Sequence, residues 1–182
     1  YKPQHIDVDM DCSVQLWLDS ELGAKWRSGE FNVNVIKALG VDQLLPKRVK
    51  KLSGGERQAV SIAICLGREA DLYLLDEPSA HLDANARMEA AKAIRRTMEA
   101  NEKSALVIDH DVYFIDILSD SLMVFDGQGG QYGKATGPYP LRDGMNQFLE
   151  QVNITFRRDH DSKRPRINKP ESRKDREQQS SG

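Results

Sequence analysis

Leu52-Ser53-Gly54-Gly55-Glu56 is the first pattern in the chain with chemical meaning. Two glycines at a helix start let backbone N–H groups come close to an anion. The helix end adds partial positive charge, and Ser53 adds a hydroxyl donor. This is a phosphate-reading device made without a lysine. Alone, it marks no more than a capped helix after a turn. The second pattern is the apolar run Leu72-Tyr73-Leu74-Leu75, closed by Asp76-Glu77-Pro78. A strand-end Asp76 can hold Mg²⁺ through water, because that ion takes a few hard oxygens and keeps its water shell. The neighbouring Glu77 can polarise a water for attack on a γ-phosphate. Asp83 follows six residues later, after Leu82, and suits a helix N-cap. His81 reads as a surface residue. The third pattern is Ala105-Leu106-Val107-Ile108, closed by Asp109-His110-Asp111. His110 can hydrogen-bond the same phosphate.

These side chains need elements that hold them. Ser53 with Glu56 three residues on fits a capping box. Val60, Ile62, Ala63, Ile64, Cys65 and Leu66 then predict a largely buried helix. The runs 72–75, 105–108 and 122–125 predict three short strands, the first buried on both faces. Met88, Ala91, Ile94 and Met98 recur at helical spacing between the first two strands. Residues 112–118 suit a short helix before the third. Strand, helix, strand, helix, strand implies an α/β domain with a mostly parallel sheet. In such sheets ligands sit at the carboxyl ends of the strands, where Asp76-Glu77 and Asp109-His110 lie. Upstream, Leu16, Trp17, Leu18, Leu22 and Trp26 form one helical stripe. Val35, Ile36, Leu39 and Leu44 form another, broken by Gly40 and Pro46. Leu141, Met145, Phe148 and Val152 predict a last amphipathic helix, although Gly144 disfavours it.

The chain has 182 residues, 39% hydrophobic and 30% charged, with a net charge of −2. Phe156 to Glu177 carries nine Lys/Arg and five Asp/Glu, a net of +4, which leaves −6 on the rest. A basic tail on an acidic body points to an anionic partner such as RNA; a solvated terminus is the plainer alternative. Cys12 and Cys65 form no metal-ligand spacing. No apolar run approaches the roughly 20 residues of a membrane span, so a cytoplasmic setting without membrane contact is expected. The chain opens on Tyr1 rather than Met and is expected to be a piece of a longer protein.

The order and spacing of these pieces resemble the ABC ATPase superfamily. The resemblance implies a partial P-loop NTPase-like ABC cassette of α/β class. Residues 1–52 would be the Q-loop and a helical subdomain, 53–152 the ATPase core, and 153–182 a C-terminal hinge tail. Ser53, Gly54, Gly55 and Glu56 match the signature, which meets nucleotide in trans. Asp76 matches the Mg²⁺ carboxylate of Walker B, Glu77 the catalytic glutamate, Asp83 the D-loop aspartate and His110 the switch histidine. Gln4, in Lys2-Pro3-Gln4, matches the Q-loop glutamine that senses Mg²⁺ and the attacking water.

Tyr1-Lys2-Pro3-Gln4, Asp76-Glu77-Pro78-Ser79-Ala80 and Gly144-Met145-Asn146 resemble the second cassette of subfamily E, the ribosome-recycling or RNase L inhibitor family. So do Ile154-Thr155-Phe156-Arg157-Arg158-Asp159 and Arg164-Pro165-Arg166-Ile167-Asn168-Lys169. The resemblance implies ATP and Mg²⁺ as cofactors, with iron–sulfur clusters in a separate N-terminal domain. It implies as partners the ribosomal small subunit and its rRNA, release factor, initiation factors and a first cassette of the same protein. Arg157, Arg158, Arg164 and Arg166 would serve hinge packing or RNA contact. The sequence departs from the family at Arg57, Ala59, His81 and Asp109, and it lacks the Gly-x-x-x-x-Gly-Lys-[Ser/Thr] loop. Alone it is expected to bind ATP poorly. The alternative of a transporter's nucleotide-binding subunit leaves the arginine-rich tail unexplained, and an SMC-type ATPase would need long heptad runs that the chain lacks.

Overall fold

Ser13 accepts the Leu16 N–H through its hydroxyl and starts α1 (Val14–Leu22). The computed structural model describes residues 1–2, 11–27, 29–128, 131–151, 156–158, 165–168 and 176, with backbone only at 151, 156–158 and 165–167. The first expected stripe is divided between elements. Trp17 and Leu18 are buried, Leu16 is exposed, and Trp26 is buried from a separate 3-10 turn. One helical turn, α2 (Gly29–Phe31), runs into a π-helical stretch at Asn32–Lys37 that buries Val35 and Ile36. Gly40, at φ 67°, turns the chain into a 3-10 segment at Val41–Leu44.

Helix α3 (Gly54–Gly67) begins with the expected capping box. The Ser53 hydroxyl accepts the Glu56 N–H, and the Glu56 carboxylate accepts the Ser53 N–H at 2.9 Å. Two otherwise unpaired N–H groups of the helix start are satisfied in this way. Strand β1 (Leu72–Asp76) follows, then α4 (Ala84–Asn101), whose first turn donates the Ala86 N–H to Asp83 at 2.8 Å. Strand β2 (Ser104–Ile108) pairs parallel with β1, from Leu72 opposite Ser104 to Asp76 opposite Ile108. Lys2 bridges the other edge of β1. Its N–H reaches the Leu74 carbonyl, and its carbonyl takes the Asp76 N–H. Helix α5 (Val112–Leu118) closes this unit, Tyr1–Leu118.

The core of the unit joins residues of α1, α3, α4 and α5 with Tyr73 and Leu75 of β1. The expectation that β1 is buried on both faces is corrected. Tyr73 and Leu75 are inside, but Leu72, Leu74, Leu106 and Ile108 lie 37–59% exposed. Alternation along the two strands sends these side chains to the opposite face, which no described residue covers.

The second unit is Ser119–Gly182. Strand β3 (Ser121–Gln128) was expected to extend a parallel sheet. It pairs instead with β4 (Tyr132–Pro140), antiparallel, with a bulge between Leu122 and Val124. A short connection suffices for an antiparallel partner, and none of the crossover a parallel one requires lies between them. Helix α6 (Leu141–Gln151) buries Met145 and Leu149. Gly144 has a packing reason: a Cβ there would lie 2.6 Å from the Leu122 Cβ. Farther on, β5 (Phe156–Arg158) and β6 (Pro165–Ile167) form a short antiparallel ladder.

Candidate functional site

The carboxyl ends of β1 and β2 bring the strand-end residues together. Register sets Asp76 beside Ile108, so Glu77 and the Asp109-His110-Asp111 loop emerge side by side. The Glu77 N–H donates to the Ile108 carbonyl at 2.7 Å, which stitches the two ends. His110 Nδ1 lies 3.9 Å from Glu77 Oε1. The imidazole is 78% exposed and the carboxylate 28%, so both groups face an open surface. Asp76 is half-buried at the strand end. The Lys2 ammonium donates to its carbonyl at 2.7 Å, and burial pushes the lysine's pKa down.

Asp109 organises the loop beyond β2. Its Oδ1 accepts the Ser79 hydroxyl at 2.8 Å, the His110 N–H at 2.8 Å and the Asp111 N–H at 2.9 Å. Its Oδ2 accepts the Ser79 N–H at 3.0 Å. One carboxylate therefore ties the turn after Glu77 to the loop that carries His110. Asp111 in turn accepts the Phe114 N–H at the start of α5 and pairs with Arg87 at 2.7 Å.

The amino end of α3 reaches the same turn from another side. The His81 carbonyl sits 2.7 Å from where a Gly55 Cβ would stand, and the His81 ring lies 3.3 Å from a Gly54 Cβ. Any larger residue at 55 would collide with backbone. The two glycines thus serve local packing as well as open access to the helix N-terminus. Glu56 is held below the usual carboxylate range, first by the Lys47 ammonium at 2.7 Å and then by the Ser53 N–H. Gln58, one turn into α3 and 2% exposed, donates to the Glu77 carbonyl at 2.8 Å.

A family model described as ABC transporter matches residues 11–80. The whole chain is 44% identical to the protein named ABC transporter E family member 1 of Arabidopsis thaliana, over 30% of that protein. It is 41% identical to translation initiation factor RLI1 of Saccharomyces cerevisiae, again over all of this chain and 30% of the relative. Among solved structures, the archaeal ribosome recycling factor aABCE1, in complex with ribosomal stalk protein aP1, superposes with a TM-score of 0.94. That match is 50% identical and covers all of this chain and 35% of that one. The chain is part of an ABC cassette of the E subfamily. It spans about a third of the length of these relatives.

Within this cassette the structure brings Glu77 and His110 together at the ends of β1 and β2, with Asp76 the last residue of β1, while Gly54 and Gly55 pack against His81 and Asp83 caps α4. Gln4 lies outside the described residues, and so does Arg164. Arg157, Arg158 and Arg166 are placed only as backbone positions of β5 and β6. Among the described residues no group of three His, Cys, Asp or Glu side chains is set to hold a metal. The donor set at Asp76 fits Mg²⁺ all the same, since that ion is held by one or two carboxylates with water and phosphate oxygens. No described helix is long and apolar enough to cross a membrane. A cleft of about 550 Å³ lies at the far end of β1, lined by Phe31, Tyr73, Arg96 and Lys103, away from this chemistry.

Sequence reasoning passed over Gln58 and treated Asp109 only as a departure from the family. A polar residue inside the otherwise apolar face of α3 was the signal for the first. Four donors meeting one carboxylate have no signature in spacing.

Proposed function

We propose that this chain supplies the hydrolytic strand ends and the signature helix of a cassette in a twin-cassette ATPase that splits ribosomes into subunits. The observation that carries the reading is the meeting of Glu77 and His110, 3.9 Å apart at the ends of β1 and β2. Glu77 accepts the proton of the attacking water. His110 donates to an oxygen of the terminal phosphate. Gln4 senses the attacking water, and Asp83 serves the D-loop. When bound through Asp76 and its waters, Mg²⁺ spreads charge off the phosphates. The exposed N-terminus of α3, with Ser53, Gly54, Gly55 and Glu56, reads the phosphates of a nucleotide whose Walker A loop lies on the partner cassette. ATP is therefore shared between two cassettes, and closure is the power stroke.

In this reading the partners are the ribosomal small subunit and its rRNA, a release factor, initiation factors and the first cassette of the same protein. Iron–sulfur clusters belong to a separate domain, and the setting is cytoplasmic. The names of the relatives, which include a ribosome recycling factor and a translation initiation factor, support it.

The test uses the complete gene product. Glu77→Gln is expected to lower the ATP turnover rate by roughly 10²–10⁴-fold, the range of a lost general base. Ribosome splitting is followed by gradient sedimentation, and multiple-turnover splitting should fall with turnover. Multiple-turnover splitting at the normal rate by a Glu77→Gln protein would sink the proposal.

A further inference from the structure

We propose that Gln58 is a positioning residue that ties the phosphate-reading end of α3 to the water-polarising residue at the end of β1. The inference rests on the roles just given to α3 and Glu77. Gln58 is almost wholly buried, yet its amide is not spent on its own helix. Its Nε2 donates across to the Glu77 carbonyl at 2.8 Å.

Glu77 needs such a hold. Its φ of 43° lies in the left-handed region, which a non-glycine residue adopts only when its surroundings fix it. Three described hydrogen bonds hold its backbone here. The Glu77 N–H is bound to Ile108, and the Glu77 carbonyl accepts the Ala80 N–H at 3.2 Å as well as Gln58. Two of the three are backbone contacts local to the strand ends. Of these three, the Gln58 contact is the one from α3.

The same helix holds the other end of the turn. His81, at φ 61°, rests its carbonyl where a Gly55 side chain would be. Helix α3 therefore grips the 77–82 turn at both ends, through a hydrogen bond at Glu77 and through close backbone packing at His81. A displacement of α3 when its N-terminus engages phosphate moves the Glu77 backbone with it. The two phosphate-facing features of one cassette belong to different nucleotides in the reading above. Gln58 thus links the two nucleotide sites inside a single chain.

The experiment is a cycle of Gln58→Met and Glu77→Gln in the complete gene product. Methionine keeps the size of glutamine and removes the donor. Gln58→Met is expected to lower kcat for ATP about tenfold, the scale of one neutral hydrogen bond, with KM for ATP changed less than about twofold. In a Glu77→Gln background Gln58→Met is expected to add nothing further, because it acts through Glu77 alone. A wild-type kcat for Gln58→Met beside a slow Glu77→Gln protein overturns the role of Gln58 and leaves that of Glu77. A full additional loss in the double variant also overturns it. A wild-type rate for Glu77→Gln overturns the underlying reading instead. Should Gln58→Met fail to fold, Gln58→Leu is put through the same cycle. It is close in size, has no donor, and carries the same expected outcomes.

Discussion

At the scale of single residues, much of the site depends on which oxygen accepts which proton. Asp109 takes four donors from two loops, and three of them are on Oδ1. Hydrogen bonds to a charged acceptor contribute about 1.5–3 kcal/mol each when measured singly, and they do not add within one cluster. Asp109→Ala is therefore expected to destabilise the unit by about 2–4 kcal/mol, read as a lower urea midpoint. Asp109→Asn should cost less, because an amide turned with its oxygen in the Oδ1 position keeps three contacts. Its NH₂ then faces the Ser79 N–H, so that one contact is lost. An unchanged midpoint in Asp109→Ala would show that the carboxylate does not join the two loops. The family resemblance marks this residue only as an aspartate where glutamate is usual. What it does appears once β1 and β2 are in register, because Ser79 and Asp109 lie thirty positions apart.

At the scale of elements, α3 shows how far local chemistry can be read from sequence. Its start follows from Ser53 and Glu56, and its burial from the apolar run after them. The capping box carries a testable pH dependence. Glu56 has a folded pKa below its ordinary value of 4.5, set first by the Lys47 hydrogen bond and then by the Ser53 N–H. The unfolded chain therefore binds the proton first as pH falls. The stabilisation is fully present above the ordinary value and is lost as pH drops through the depressed one. Ser53→Ala is expected to cost about 1 kcal/mol at neutral pH. Glu56→Gln should remove part of the acid-side loss of stability, measured as thermal midpoint against pH. An acid limb identical to wild type would remove Glu56 from that account. The partner of β3 was not legible in the same way. Strand β4 carries Gly133, Gly137, Pro138 and Pro140, so it has neither apolar alternation nor strand propensity. Its pairing comes from its nearness to β3 along the chain. The exposed face of β1 and β2 was equally hidden, since a continuous apolar run gives no sign of which face the described residues cover.

At the scale of the whole molecule, charge is segregated along the chain. The stretch from Phe156 to Glu177 has a net of +4 on a protein whose total is −2. Within it, the register of β5 and β6 pairs Arg157 with Arg166. The positive charge of the segment suits a phosphate-bearing partner. Binding through phosphate contacts releases counterions, so log affinity falls with log salt by somewhat under one unit per contact. Replacing Arg157, Arg158, Arg164 and Arg166 together with serine is therefore expected to weaken small-subunit binding by the complete gene product. It should also flatten the salt dependence by about 2–4 units of slope, if each arginine meets a phosphate. The slope separates the two uses of the tail. Weaker binding with an unchanged slope assigns these arginines to packing between cassettes. Unchanged affinity and slope would mean that the four arginines contribute only solvated charge.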